Sequence, residues 1–264
     1  MKRRERITIR PTYAGLLTEI GFSGAWAFDD PRVIVWRKLK DRENCTADVK
    51  AADGRAVRLH IKRFPVKWAG TAEDEANGLE ILEKAGIPCA PLVAWGIAAD
   101  GRGFVITEDL AGFAPADKLI QGGLEFDRLL KPTAQLAANL HSAELHHRDL
   151  YLCHFFVRVD ASAIDVRLID AARVRKLAGW PRRKRWIVKD LAQFWYSTMQ
   201  LKLPDETRRE WLGEYSRMPA TMDAVETLQP AIEAKVRSIA AHDKKLNQRE
   251  PTRHVSLGEK GRGA

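Results

Sequence analysis

Short apolar runs separated by turn residues occupy the first third of the chain. The second run follows an Asp53-Gly54 turn signal, and the last two flank Asp100-Gly101, which is typical of strands joined as hairpins. The runs cover residues 33–38, 56–63, 91–97 and 103–107. They predict an antiparallel sheet in which residues 39–46 form the loop between the first two strands.

Apolar positions at helical spacing interrupt this sheet once and dominate the rest of the chain. Residues 71–85 carry such a pattern, and a glycine and a proline then end it. Further helices are predicted over residues 126–145, 186–200, 205–215 and 224–244. We therefore expect an α+β fold with two lobes: a sheet with one main helix over residues 1–108, and a helical lobe over residues 109–250. Residues 251–264 are polar and are predicted to be a flexible tail.

The composition of the 264-residue chain is that of a globular protein. Hydrophobic residues make up 45% of it, enough for a core, and no apolar run reaches the ~20 residues of a membrane span. The basic N-terminus precedes no apolar segment, so we expect no secretory signal and a cytoplasmic location. Three widely spaced cysteines without a C-x-x-C pair argue against a disulfide framework and a zinc site.

The charge is strongly positive and unevenly distributed. A net charge of +9 predicts an anionic partner, which could be a nucleic acid, an anionic membrane or a phosphorylated ligand. The segment Arg173–Lys189 holds eight basic residues and no acidic one. This segment is therefore the predicted contact surface, although a charged run is also compatible with a solvated face.

One tripeptide suggests phosphoryl transfer. His147, Arg148 and Asp149 follow the long predicted helix and resemble the kinase catalytic loop H-R-D-x-x-x-x-N, with His154 at the final, metal-binding position. The tripeptide alone is more often a solvated turn or a capping aspartate. Its meaning depends on the residues that accompany it.

A second pair of charged residues lies at kinase spacing in the predicted sheet lobe. Lys62 ends a predicted strand, and Glu75 follows on the apolar face of the predicted helix. A carboxylate on a buried helix face needs a partner, because an unpaired buried charge costs several kcal/mol. We expect Lys62 to be that partner, as in kinases, where such a pair holds the lysine against the nucleotide phosphates.

Two further aspartates continue the kinase order. Asp170 ends the strand-like run 166–169, where a kinase places its metal-binding aspartate, although Ala171-Ala172 replaces Phe-Gly. Asp190 lies among apolar residues of a predicted helix and is expected to be half buried. In kinases the corresponding aspartate holds the backbone of the catalytic loop.

The chain resembles the bacterial lipopolysaccharide kinase family of the protein-kinase-like superfamily, whose members phosphorylate heptose or Kdo sugars of the lipopolysaccharide core. The resemblance covers roughly residues 30 to 200. It rests on the runs His147 to Phe155, Leu168 to Asp170 with Arg173, and Lys189 to Ala192. It implies a two-lobed kinase-like fold with ATP between the lobes and a sugar hydroxyl as acceptor.

The resemblance also implies roles for individual residues. Backbone atoms of Glu108 and Leu110 would bind adenine, and Lys62, held by Glu75, would contact the phosphates. Asp170 would bind Mg²⁺. The catalytic loop of His147, Arg148 and Asp149 would present Asp149 to the acceptor hydroxyl, and His154 would either approach the metal or brace Asp149.

The implied partner is the lipopolysaccharide core, with peripheral contact between Arg173–Lys189 and the anionic inner membrane, and nucleic acid is disfavoured. The kinase pattern is incomplete, because residues 39–46 contain no glycine for a phosphate-binding loop. Arg42 would either grip phosphate there or lie at the surface. The alternatives are an atypical protein or small-molecule kinase, and a pseudokinase that binds anionic lipid or nucleic acid.

Overall fold

A computed structural model describes residues 5–160, 163–179, 182–217 and 225–249. They form two compact units that are not continuous in sequence. The first unit takes the described residues of Met1–Lys84, together with Cys89–Ala111 and Asp170–Arg173; the second takes the described residues of the remainder. The predicted tail, residues 251–264, lies outside the described residues.

The first unit is an antiparallel sheet with helices. In chain order its elements are β1 (Arg6–Ile9), α1 (Ala14–Glu19), α2 (Trp26–Asp29), β2 (Ile34–Lys38), β3 (Glu43–Lys50), β4 (Ala56–Phe64), α3 (Gly70–Lys84), β5 (Leu92–Ile97) and β6 (Gly103–Glu108). Within the described residues the sheet has the strand order β1-β5-β6-β4-β3-β2. The residues that follow Asp170 form a short 3₁₀ turn in this unit.

Side-chain alternation along β3 and β4 divides this sheet into two faces. Cys45 and Ile61 are opposite each other and fully buried, as part of the core that includes residues of α1 and α2. The next pair, Asn44 and Lys62, points to the other face because successive strand residues alternate. Lys62 is thereby placed on the face of the sheet opposite that core.

The prediction of a loop over residues 39–46 was wrong beyond Arg42. The amide of Leu39 donates to the Arg42 carbonyl at 2.8 Å, which closes a tight turn and allows β3 to begin at Glu43. Cys45, Ala47 and Val49 then alternate into the core. Strand β1 and the short helices α1 and α2 were not predicted, since each is too short to show a clear period. The predicted strands and the helix α3 are present at nearly the expected bounds.

The second unit is mostly helical. Its elements are β7 (Ala114–Pro115), α4 (Ala116–Gln121), α5 (Asp127–Ser142), β8 (Leu145–His146), β9 (Phe155–Val159), β10 (Ile164–Leu168), β11 (Arg175–Lys176), α6 (Arg182–Gln200), α7 (Asp205–Ser216) and α8 (Val225–Arg249). Strand β9 pairs with β7 and β10, and β8 pairs with β11. The α+β fold class is confirmed: one unit is built on an antiparallel sheet and the other on helices.

The core of the second unit is aromatic where α6 meets α7. The rings of Phe194 and Trp211 stack with centroids 4.0 Å apart, and the Trp211 indole N–H donates to the buried Thr133 hydroxyl on α5. Such pairs add about 1 kcal/mol beyond the area they bury. These contacts fix α6, which begins four residues earlier than predicted, at Arg182. None of the described helices is both long and apolar enough to cross a membrane.

Candidate active site

A buried ion group lies in the first unit, where α3 meets β4 and the turn after Asp170. The ammonium of Lys62 donates to Glu75 Oε1 at 2.8 Å and to Asp170 Oδ1 at 3.1 Å. The Glu75 side chain is 5% exposed and the Asp170 side chain 26%. The three sequence-predicted residues therefore meet, with the carboxylate of Glu75 buried and that of Asp170 accessible.

A close approach of backbone to backbone makes this meeting possible. The Ala171 amide donates to Glu75 Oε1 at 3.2 Å, so Glu75 holds both Lys62 and the turn after Asp170. A Cβ at Gly78, one turn further along α3, would clash with the carbonyl of Ala171. Glycine at this position is what lets the turn reach the helix.

The charges of the ion group stabilise one another. Burial opposes the ammonium of Lys62, but the nearby carboxylates of Asp170 and Glu75 outweigh that cost and raise the pKa of Lys62 above its usual value. Lys62 is therefore a fixed cation at neutral pH. A fixed cation in a low-dielectric setting suits the contact with phosphate oxygens that kinases require.

Arg42 belongs to the same group. Its Nη2 is 3.9 Å from Asp170 Oδ2, and its Nη1 donates to Asp41 at 3.3 Å. Its Nε is buried and has no hydrogen-bond partner among the described residues. Of the two roles considered for Arg42, a plain surface position does not describe this geometry, because the guanidinium is directed at Asp170 and is only 26% exposed.

The residues present fit a magnesium ion. Magnesium prefers carboxylate oxygens and is usually held by one or two of them together with substrate phosphates. Asp170 offers an accessible carboxylate between two cations, on a residue with φ of 62°, a left-handed conformation that is uncommon outside glycine. Among the described residues no cluster of three or more metal-ligating side chains occurs.

The second unit holds the backbone of the predicted catalytic loop through one buried carboxylate. Asp190 on α6 accepts the amides of His147 at 2.6 Å and Arg148 at 2.8 Å, and His141 Nε2 lies 3.4 Å away. Burial disfavours the charge, but the interactions with His141 and His147 outweigh it and lower the pKa of Asp190. Asp190 is fully buried, whereas the sequence predicted half burial.

Further α6 side chains extend this support, and the sequence reasoning missed them. Gln193 accepts the amide of Leu150 at 3.1 Å and donates to Asp149 Oδ1 at 3.4 Å. Ser197 accepts the amide of Leu152 at 3.0 Å. The signal was present in the spacing, since residues 190, 193 and 197 share one face of a helix.

The two loop histidines bond to backbone carbonyls. His147 Nε2 donates to the Ile169 carbonyl at 3.1 Å, and His154 Nδ1 donates to the Asp149 carbonyl at 2.6 Å. A carbonyl can only accept, so His154 carries its proton on Nδ1. Of the two roles that the resemblance left open for His154, this contact supports bracing Asp149.

Arg148 occupies a strained position beside Trp186. Its φ is 70°, and its guanidinium lies 4.1 Å from the centre of the Trp186 ring. The Lys189 ammonium donates to the Arg148 carbonyl at 2.8 Å. Residues in the left-handed region persist only where their surroundings hold them, and this loop is held on both sides of Asp149.

The segment predicted to bind adenine ends β6. The Glu108 amide donates to the Pro91 carbonyl at 2.9 Å, and the Glu108 carboxylate accepts the Tyr13 hydroxyl at 2.6 Å. The Asp109 amide donates to the Arg58 carbonyl. The amides of Glu108 and Asp109 therefore both donate within the protein.

Comparison with known proteins places this site in a family. The model of the lipopolysaccharide kinase (Kdo/WaaP) family matches residues 59–215, more than half of the chain. The lipopolysaccharide core heptose(I) kinase WaaP of Pseudomonas aeruginosa PAO1 is 28% identical over 239 residues, which cover 77% of this chain and 87% of that protein. The Escherichia coli protein of the same name is 27% identical over 181 residues, 60% of this chain and 63% of that protein.

Among solved structures, WbdD bound to a kinase inhibitor is similar to this chain. The TM-score is 0.47 and the identity 19%, over 76% of this chain and 44% of WbdD.

Proposed function

The chain belongs to the lipopolysaccharide kinase (Kdo/WaaP) family and is a phosphotransferase, and we propose that it transfers a phosphoryl group from ATP to a heptose or Kdo hydroxyl of the lipopolysaccharide core. The observation that carries this proposal is the buried contact of Lys62 with both Glu75 and Asp170. Phosphoryl transfer is catalysed mainly by positioning and charge stabilisation, which such a group supplies.

In the first unit, Lys62 binds phosphate oxygens, and Glu75 keeps its ammonium in place. Arg42 adds a second cation, in the position where the missing glycine loop would have offered amides. Asp170 holds Mg²⁺, which neutralises the charge of the phosphates when it is bound. Glu108 and Leu110 bind the adenine through their backbone.

In the second unit, Asp149 accepts the proton of the acceptor hydroxyl or orients it. The loop of His147 and Arg148 is held by Asp190, so the carboxylate of Asp149 is presented from a fixed backbone. His154 braces that backbone from the other side and is at most a second contributor to the metal, because imidazole binds magnesium less well than oxygen does.

We also propose that residues 1–108 and 109–250 form the two lobes of the kinase and that residues 251–264 form a flexible tail. The proposed location is the cytoplasm, with peripheral contact to the membrane.

Part of the segment Arg173–Lys189 already serves internal contacts: Arg183 pairs with Glu144, and Lys189 bonds to Arg148. Residues 180 and 181 lie outside the described part. Lys176, Arg182 and Arg185 are exposed and remain the candidates for an anionic membrane surface.

The test is magnesium-dependent ATP consumption with and without purified lipopolysaccharide core. We expect consumption to require the acceptor, and Asp149→Asn to lower turnover by about 10²–10⁴-fold, the usual range for a general base, with nucleotide binding nearly unchanged. Consumption that is equal without acceptor would contradict the proposed substrate. Turnover of Asp149→Asn within about threefold of the wild type would remove Asp149 from the mechanism.

A further inference from the structure

A half-open cavity of about 610 Å³ lies between α6 and α8 in the second unit. Four of the side chains that line it are cations: Lys184, Arg185 and Lys189 from α6, and Lys235 from α8. The described residues that line it include no carboxylate. The volume is within the ~300–1,000 Å³ of small-molecule sites.

Apolar side chains make up most of the rest of the lining, and Ser238 adds one hydroxyl group. Val188 is buried beside the cations, and Ala231 and Ala234 contribute methyl groups from α8. The side chain of Trp186 completes the α6 wall. A cavity with cations and methyl groups together suits a ligand that has both an anionic group and a non-polar part.

The arrangement of charge on α8 makes the cavity distinct from the general basic surface. Lys235 lines the cavity with the three α6 cations, whereas Arg237, two residues further along, is exposed and does not line it. A multiply charged anion that enters this partly enclosed space can interact with several of these cations at once. Phosphate esters carry about −1.5 to −2 charges at neutral pH and accept several hydrogen bonds.

We infer that this cavity is a second ligand site, which binds the phosphate group of an organic phosphate ester. The phosphate contacts the four cations, and the organic part contacts Val188 and the α8 alanines. The same chemistry exists on a membrane-embedded phospholipid and on a free soluble ester. The site is separate from the ATP contacts proposed for the first unit.

Three contacts join the cavity wall to the catalytic loop and to the residue before it. Trp186 lies under the Arg148 guanidinium at 4.1 Å and stacks on His146 at 4.8 Å. Lys189 donates to the Arg148 carbonyl. A bound phosphate that accepts a hydrogen bond from the Lys189 ammonium therefore competes with the carbonyl of Arg148, the residue immediately before Asp149.

The test measures binding of two matched probes to the full chain, with the nucleotide site saturated by a nonhydrolysable ATP analogue. The soluble probe is glycerol 3-phosphate, and the lipid probe is phosphatidylcholine vesicles with or without phosphatidic acid. We expect Lys235→Gln to weaken binding of at least one probe about tenfold, as loss of a hydrogen bond to a charged group does. Arg237→Gln, which removes the same charge from the same helix, should change it about twofold at most.

A second variant introduces an opposing charge. Ala234 is exposed on α8, so Ala234→Glu should fold normally and place a carboxylate in the cavity, which should abolish binding of the same probe. Binding of the phosphatidic acid vesicles alone identifies a lipid source, and binding of glycerol 3-phosphate identifies a soluble one. Equal losses in Lys235→Gln and Arg237→Gln, or no binding of either probe, would overturn the inference.

The proposed function and this site fail separately. A chain that does not bind the ATP analogue but binds a phosphate ester through Lys235 would contradict the kinase proposal and leave the cavity site standing. A chain that phosphorylates the core sugar but shows no Lys235-dependent binding would contradict only the site.

Discussion

The two units stabilise buried charge in different ways. In the first, the ammonium of Lys62 is offset by side-chain carboxylates of Glu75 and Asp170. In the second, the carboxylate of Asp190 accepts the backbone amides of His147 and Arg148 in addition to its contact with the His141 side chain. Side-chain partners can be exchanged when a ligand arrives, whereas backbone partners cannot change without moving the chain.

This difference matches two tasks. Asp170 is partly exposed and bonded to a cation that phosphate can also engage, so the first unit can rearrange its ion pairs around a nucleotide and metal. Asp190 is fully enclosed, and its two amide bonds hold the loop of His147 and Arg148 in one geometry. The predictions below test each half of this contrast.

The largest expected effect is on the stability of the second unit. Asp190→Asn should lower the free energy of unfolding by about 3 kcal/mol, because the new amide group faces a backbone donor in a buried site. Chemical denaturation measures this. Asp160→Asn is the control, since that carboxylate is 57% exposed and should cost less than about 1 kcal/mol. Equal losses in the two variants would contradict a stabilising role for the buried Asp190 carboxylate.

Removal of the proposed metal carboxylate, Asp170, should act on activity and leave the fold intact. Asp170→Asn should lower turnover roughly 100-fold and raise the magnesium concentration needed for half-maximal rate.

His154→Asn should be tolerated better than His154→Ala, because an amide can still reach the Asp149 carbonyl. If both His154 variants are equally inactive, the imidazole has a role that an amide cannot fill.

The Lys62–Glu75 pair should behave as one unit. Lys62→Ala and Glu75→Ala should each impair turnover, and the double variant should lose much less than the product of the two single effects. The expected coupling is about 2 kcal/mol, within the range for a buried contact. Kinetics of the four proteins give this value directly. Losses that multiply fully would contradict the pairing.

A smaller effect is expected at the glycine-free turn. Arg42→Ala should raise the KM for ATP about tenfold, since a charge-assisted contact to phosphate is lost. Lys40→Ala is the matched control, because Lys40 is an exposed cation in the same turn. If both variants raise KM equally, the turn contributes only diffuse positive potential.

The smallest effect concerns pH. Burial lowers the pKa of His146 to about 4, and burial with the nearby Lys62 lowers the pKa of His60 to about 4 in the other unit. Between pH 6.5 and 4 the imidazoles of His146 and His60 bind protons in the unfolded chain but not in the folded chain. The free energy of unfolding therefore falls as the pH falls. From pH 7 to 5.5 the buried His146 should account for about 1 kcal/mol of that loss.

The measurement is the free energy of unfolding at the two pH values. His146→Phe keeps a ring against Trp186 and removes the titrating group, so its pH dependence should be shallower than that of the wild type. His146 faces the charged groups of Asp190, Arg148 and Lys189 and the imidazole ring of His141. An unchanged slope would mean that His146 does not titrate in this window.

The longer elements could be predicted from the sequence because their patterns are long enough to show a period. Strand β4 and helix α3 were predicted at nearly their observed bounds. The kinase-like order of charged residues could also be read from the sequence, and it comprises Lys62, Glu75, Asp149, Asp170 and Asp190. Strand β3 was missed because its first residues are polar or small, and it is their pairing with β4, such as that of Asn44 with Lys62, that shows they belong to the sheet. The role of Arg42 was left undecided, because the sequence does not show that the turn before β3 directs its guanidinium at Asp170.

The sequence by itself determined which residue types are present, and their spacing determined the family and the chemistry. Only the tertiary structure decided which of them meet. Lys62 and Asp170 are 108 residues apart and touch because Gly78 admits the turn after Asp170 against α3. Gln193, Ser197 and the cavity between α6 and α8 depend on how helices pack, and helix packing leaves no local signal, because it is set by contacts between residues far apart in the chain.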